Sequence, residues 1–371
     1  MPFADELLGP DDATGLVVAL EAAHGVALPE LRDAAGELGP LALRERADRL
    51  RDALLQDVGG GHEELAAVVR GALDGAAPFT GWMLWPVTSA VALRAVEQGT
   101  DDAVDDALAL FERLTVRFTG EFGIRPLLRH DLDRVLATLL GWAAHPDAGV
   151  RRLASEGTRP YLPWATRVPG ILARPGVTLP ILDALRHDPS EDVRRSVANH
   201  LNDLSRDEPA LVAETARRWL AEPAPGRERE NERLVRHALR TLVKRGDPGA
   251  LAVLGFAPAE VAVDGPLLDA DRVTIGGSLR FRGTVRNAGE AEARLAIDYV
   301  VHHRKANGTR TPKVFKLTTA TLAPGASIDL DRTHSFRPIT TRRYHPGTHA
   351  IGLQVNGVAT PLVPFELAPE A

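Results

Sequence analysis

Residues 1 to about 110 are rich in Ala, Leu, Asp and Glu, broken by turn signals at Gly9-Pro10, Gly39-Pro40 and Gly59-Gly60-Gly61. Apolar residues recurring at helical spacing between such breakers predict a series of short helices. The helical pattern continues from 111 to about 255. There Asp147, Ser190 and Asp247 stand at expected helix starts, beside Pro146, Pro189 and Pro248. After Gly255 the period changes. S-L-R-F-R-G-T-V-R-N, L-A-I-D-Y-V-V-H and H-A-I-G-L-Q-V-N-G alternate as strands do, with Pro258 and Gly265-Pro266 read as a linker before them. Asn287-Ala288-Gly289, Asn307-Gly308, Ala323-Pro324-Gly325 and His345-Pro346-Gly347 punctuate the strands as the turns of an antiparallel sandwich would. The fold class expected is an α-solenoid over residues 1–255, followed by an immunoglobulin-like β-sandwich over 259–371. The Cys–Trp–Cys core of antibody domains is absent.

Within the helical part a repeat is visible. Val150-Arg151 recurs as Val193-Arg194 and as Val235-Arg236, at spacings of 43 and 42 residues, and Pro146 and Pro189 keep one offset. A period in the low forties is that of HEAT-like helical pairs, whose stacked neighbours bury one another's apolar faces. Equivalent positions then fall in rows, so these arginines should line one surface. A row of arginines on a concave face is a natural grip for a phosphate backbone.

Composition and charge change the picture further. The 371 residues exceed one ordinary core, and the 44% apolar and 25% charged fractions are those of a globular protein. No cysteine is present, so disulfides and thiolate metal sites are excluded. The start M-P-F-A-D-E-L-L carries acids where a secretion signal carries cations, and no apolar run reaches spanning length. A cytoplasmic location is expected. The net charge of −6 is uneven, with −13 up to Leu110, +4 from Phe111 to Gly255 and +3 beyond. The cationic remainder suits a polyanion, and an acidic solvated face with ordinary surface arginines is the plain alternative. Arg304, Lys305, Arg310, Lys313, Lys316, Arg342 and Arg343 mark a second basic surface in the sandwich loops. Phosphate-binding loops, dinucleotide fingerprints and nucleophile elbows do not occur, and no zinc ligand set is visible.

Three stretches carry more polar chemistry than a spacer needs. They are T-G-E-F-G-I-R-P-L-L (119–128), R-R-L-A-S-E-G-T-R-P-Y-L-P-W-A (151–165) and R-R-S-V-A-N-H-L-N-D-L-S-R-D (194–207). Together, and in this order, they resemble the bacterial DNA alkylation repair glycosylases of the AlkC type, relatives of the HEAT-like AlkD enzymes. The resemblance covers most of 75 to 255 and extends to the appended β-domain, while the first 70 residues match less well. It implies hydrolysis of the N-glycosidic bond of cationic methylated bases, chiefly 3-methyladenine, in duplex DNA without base flipping. It also implies a β-domain that helps to enclose the DNA. Gly120 and Gly123 depart from expectation and point to a looser loop around Glu121.

The chemistry can be argued from the substrate class. A base methylated at N3 of adenine is already cationic and leaves without a general acid. Charge then develops on the sugar, as in other oxocarbenium-like glycoside cleavages. A carboxylate near C1′ stabilises that charge and orients water, an aromatic face contributes about 0.5–2 kcal/mol toward the cation, and cations hold the phosphates. No metal or cofactor is called for. Glu121 and Asp203 are the candidate carboxylates. The alternatives are a helix-start acid for Glu121, and a cap or an ion pair with Arg194 or Arg206 for Asp203. Trp164 sits in a loop broken by Pro160 and Pro163 and is the candidate aromatic, against a role as core anchor. Trp82, Trp85, Trp142 and Trp219 are assigned to the core. Arg152, Arg159, Arg194, Asn199 and His200 are the candidate DNA-binding residues, with one of the arginines open to a structural pairing with Glu156 or Asp192. A monomer acting on alkylated duplex DNA, without obligatory protein partner, is expected. A non-catalytic scaffold that binds DNA or protein through the same arginines is the competing class.

Overall fold

A computed structural model describes residues 4–339 and 342–370; the first three residues of the acidic start lie outside it. The chain divides into two compact units, Met1–Arg206 with Pro223–Ala238, and Asp207–Glu222 with Leu239–Ala371. Among the described residues no helix is long and apolar enough to cross a membrane.

The first unit is helical. The Val-Arg repeat falls on the helices Ala148–Glu156, Glu191–Leu204 and Glu228–Ala238, which pack on one another in that order. Each turns an apolar stripe inward: Val150 and Leu153, then Val193, Val197 and Leu201, then Leu234 and Val235. Asp147 starts the first by accepting the N–H groups of Gly149 (2.8 Å) and Val150 (3.2 Å). At the second start Ser190 makes no side-chain cap; its own N–H donates to Asp188 at 2.8 Å.

The repeat arginines Arg151 and Arg194 make equivalent bonds, and those bonds go to main-chain carbonyls. Arg151 donates to the carbonyls of His145 and Pro146, both at 2.9 Å. Arg194 donates to those of Asp188 (2.6 Å) and Pro189 (2.9 Å), again six and five residues upstream. Each arginine thus fastens the turn before its own helix. Arg151 also forms a two-pronged pair with Asp188 of the next repeat, at 2.6 and 3.0 Å. The carbonyls of these turns have no partner within the helix, and the nearest long donor satisfies them. Only Arg236 of the three remains exposed.

The second unit contains a two-sheet β-sandwich. Its strands are β1 (Val261–Leu268), β2 (Arg272–Thr274), β3 (Ser278–Asn287), β4 (Ala293–Arg304), β5 (Arg310–Leu322), β6 (Ser327–Ser335), β7 (Gly347–Val355), β8 (Val358–Ala359) and β9 (Val363–Ala368). One sheet has the order β1-β3-β6, and the other runs β2-β9-β7-β4-β5 with β8 on β7. All pairs are antiparallel except β2 with β9. Burial alternates along β3, and Leu279, Phe281, Leu295, Ile297, Tyr299, Phe336, Leu353 and Phe365 fill the core. Gly265-Pro266 is not part of the linker. It lies inside β1, where the pairing with β3 breaks between Asp264 and Leu267, since proline cannot donate to the ladder. The helix Pro248–Val253 belongs to this unit, and its Leu251 packs with Phe256 and Ala296.

Candidate active site

The turn that carries Glu121 is pinned by the two glycines. A Cβ on Gly120 would sit 2.7 Å from the Phe111 ring, and one on Gly123 would sit 2.6 to 2.8 Å from Thr88, its backbone carbon included. The absent side chains let the turn press against its neighbours, so the expected looseness is replaced by close packing. Phe122 stacks on Trp85 with ring centroids 4.3 Å apart. Glu121 itself accepts from Thr119 Oγ1 at 2.9 Å and from Arg152 Nη1 at 2.8 Å.

From there an alternating row of charges runs inward. Arg152 lies 3.7 Å from Glu156, Glu156 2.6 Å from Arg159, and Arg159 donates to both oxygens of Asp203 at 2.9 and 3.2 Å. Ser196 donates to the other Glu156 oxygen at 2.6 Å. The row spans the 119–124 turn, the helix Ala148–Glu156 and the helix Glu191–Leu204, so stacking does join Glu121 to Asp203. Its outer end is the open one: the Arg152 side chain is 30% exposed, those of Glu156 and Asp203 only 7%. The partner of Asp203 is therefore Arg159, neither Arg194 nor Arg206. Glu156 was legible only as a possible partner for an arginine. Its place four residues after Arg152 and three before Arg159, on one helical edge, is the signal that makes it a member of the row.

Beneath the row lies Arg125, wholly buried. It donates to the carbonyls of Gly157 (2.9 Å), Arg159 (3.1 Å) and Thr166. Burial first, then the charges of Arg167 and Arg159, bring its pKa down to about 10, while Asp203 works the other way. These bonds shape the loop that carries Trp164. Trp164 is 48% exposed, with φ at 61°, and it borders a cavity of about 510 Å³ shared with Trp85 and Phe122. Tyr161, on the same loop, is sandwiched between the guanidinium groups of Arg206 (4.3 Å) and Arg167 (4.7 Å). Of the remaining tryptophans Trp85, Trp142 and Trp219 are buried as expected, whereas Trp82 is only half-buried, against Phe118.

Most of the expected DNA-binding residues are engaged elsewhere. Arg159 is buried and committed to two carboxylates, and Arg194 is held by backbone carbonyls. Asn199 bonds His237 at 2.9 Å. His200 is fully buried: Nδ1 lies 2.9 Å from the Ser155 carbonyl and Nε2 3.0 Å from Thr178 Oγ1. A carbonyl only accepts, so Nδ1 carries the proton and Nε2 accepts from the threonine hydroxyl. Only Arg152 keeps a partly open side chain beside the acids. Exposed cations that the pattern reading passed over do exist. Arg129, Arg229, Arg233 and Arg236 are exposed and, among the described residues, have no ion pair. The last three recur at helical spacing on Glu228–Ala238, a signal that was available. Arg233 also lines a cleft of about 250 Å³ with Arg194 and Arg195.

Burial lowers the pKa of His200 from its ordinary 6.5 to about 4. The unfolded chain then binds more protons between these values, so stability present above pH 6.5 is lost as the pH falls toward 4. The loss should reach about 3 kcal/mol, at 1.36 kcal/mol per pKa unit. Denaturant titrations of the wild type and of His200→Gln between pH 7.5 and pH 4.5 check this. The substituted protein should show the shallower slope, whatever its absolute stability.

The geometry defines a helical-repeat protein with a C-terminal β-sandwich and a row of carboxylates and arginines that is buried except at Arg152. Residues 262–369 match the family model for the C-terminal Ig-like domain of the uncharacterised protein YhaZ. Uncharacterized protein YhaZ of Bacillus subtilis (strain 168) is 33% identical over 330 residues, covering 88% of each chain. The solved structure of the Pseudomonas fluorescens alkylpurine DNA glycosylase AlkC, bound to DNA containing an abasic site analog, superposes with a TM-score of 0.80 at 30% identity, covering 99% of each chain. The chain belongs to the AlkC family.

Proposed function

We propose that this protein is a DNA glycosylase that hydrolyses the N-glycosidic bond of cationic N3-alkylated bases in duplex DNA, chiefly 3-methyladenine. The observation that carries the reading is the row Glu121–Arg152–Glu156–Arg159–Asp203, in which carboxylates from three elements are held in fixed orientation by two arginines. Preorganised charge of this kind needs no rearrangement when positive charge appears at the sugar. When the C1′–N bond breaks, its electron pair leaves with the base, which becomes neutral. Water then adds to C1′ and passes its proton to a carboxylate. Glu121 and Asp203 are the groups we assign to charge stabilisation and water orientation. Trp164, half exposed on the cavity that it shares with Phe122, the neighbour of Glu121 in sequence, offers its ring face to the cationic base. Arg152 and the unpaired Arg129, Arg233 and Arg236 hold phosphates, in place of Arg159, Arg194 and His200. AlkC being a DNA glycosylase seen on DNA supports both the reaction class and the partner.

Release of free 3-methyladenine from methylated duplex DNA tests the reading, with duplexes bearing 3-methylcytosine and 1-methyladenine as further substrates. Base release at a rate well above spontaneous loss is expected. Salt-sensitive DNA binding without release would leave the competing reading, a non-catalytic scaffold, in which the ion row only ties repeats together.

A further inference from the structure

Trp164 is a bulky side chain on a left-handed backbone, φ 61°, a conformation that persists only where the surroundings over-determine it. The surroundings here are arginines bonded to main-chain carbonyls. Arg125 holds Thr166 from below, and Arg167 reaches the carbonyls of Pro160 and Leu162, both at 3.4 Å. The carbonyl of Trp164 itself is taken by Arg44 Nη1 at 3.0 Å. Arg44 comes from the helix Leu43–Asp57, 120 residues away in sequence. It also lines the cavity that Trp164 borders.

The charge around Arg44 decides what it is for. Asp48 lies 3.4 Å away on the same helix, and Glu45 is one position along. The whole stretch up to Leu110 carries −13. The Nε and Nη1 of Arg44 are already engaged, by Asp48 and by the Trp164 carbonyl, whereas Arg129 and His130, exposed on the same cavity, are the cations open to a phosphate. Arg44 is a good donor to a single carbonyl, held in place by Asp48.

We propose that Arg44 is a positioning residue: its bond to the Trp164 carbonyl locks the strained peptide and so sets the indole toward the substrate. The acidic N-terminal helices thereby contribute one contact to the site. The inference rests on the reading of Trp164 as a substrate contact, so the test must separate the two.

Single-turnover base release and duplex affinity are measured for Arg44→Ala, Arg44→Lys, Trp164→Ala and the double variant Arg44→Ala/Trp164→Ala. Arg44 is half exposed, so melting temperatures should stay at the wild-type value. The rate for Arg44→Ala should fall about tenfold, the size of one charge-assisted hydrogen bond lost. DNA affinity and its salt dependence should not change. Arg44→Lys keeps a donor and should recover most of the rate. In the Trp164→Ala background the Arg44 change should have no further effect. A weaker affinity with a shallower salt slope, additive with Trp164→Ala, would make Arg44 a phosphate contact and overturn the proposal. An unchanged Arg44→Ala rate overturns it as well. An unchanged Trp164→Ala rate would instead remove the reading of Trp164 on which it stands.

Discussion

Asp203→Asn and Glu121→Gln should each slow base release by about 10²- to 10⁴-fold, the range for a positioned acid–base or charge-stabilising group. Both substitutions keep shape and remove charge. The amide that replaces the Asp203 carboxylate keeps one oxygen for Arg159 Nε, which donates at 2.9 Å, but loses the second acceptor that Nη2 uses at 3.2 Å. The amide that replaces the Glu121 carboxylate can still accept from Thr119 and Arg152. Side-chain shape is therefore conserved at both positions, with one hydrogen bond lost at Asp203, and a lost rate with a retained fold speaks for chemistry. The two acids sit at opposite ends of the row, Glu121 11% and Asp203 7% exposed at the side chain. The larger loss identifies the carboxylate next to C1′, and the smaller one identifies the residue that acts through the row. Single-turnover rates with circular dichroism melts on the same samples give both quantities. Wild-type rates in both variants would remove the carboxylate mechanism altogether.

The periodic features were open to reading from the residues. The 43- and 42-residue spacings of Val-Arg placed three helices that do stack, and the alternation after Gly255 placed the strands of the sandwich. What a side chain does with its donors was not open. Arg151 in the first turn of the helix Ala148–Glu156 and Arg159 just beyond its end each have an acid three or four residues off, yet one closes a turn and the other anchors Asp203, 44 residues along. An arginine reaches far enough that its partner is set by tertiary packing. Gly120 and Gly123 show the same limit from the other side. Glycine serves both mobility and close approach, and only the Phe111 ring and the Thr88 backbone decide which. Pro266 was read as linker because a strand interior rarely admits proline, and the register break in β1 is what admits it.

Arg159→Met should cost about 3–5 kcal/mol of stability at neutral pH, the penalty for removing one partner of a buried ion pair. Arg159 is 8% exposed and serves Asp203 and Glu156 at once, so its loss leaves two carboxylates with little water. Ser196 still donates to Glu156, whereas Asp203 loses both its guanidinium contacts. An unpaired buried carboxylate favours its neutral form. The variant should accordingly regain part of the deficit as the pH is lowered from 7 toward 5, a trend opposite to the acid loss expected from His200. Adding Asp203→Leu should restore stability beyond the sum of the single changes, because it removes the stranded charge. Urea titrations of the two single variants and the double variant at pH 7 and pH 5 read all three effects. A stability unchanged by Arg159→Met, joined to weaker DNA binding, would return Arg159 to the phosphate backbone and break the row that the proposed chemistry depends on.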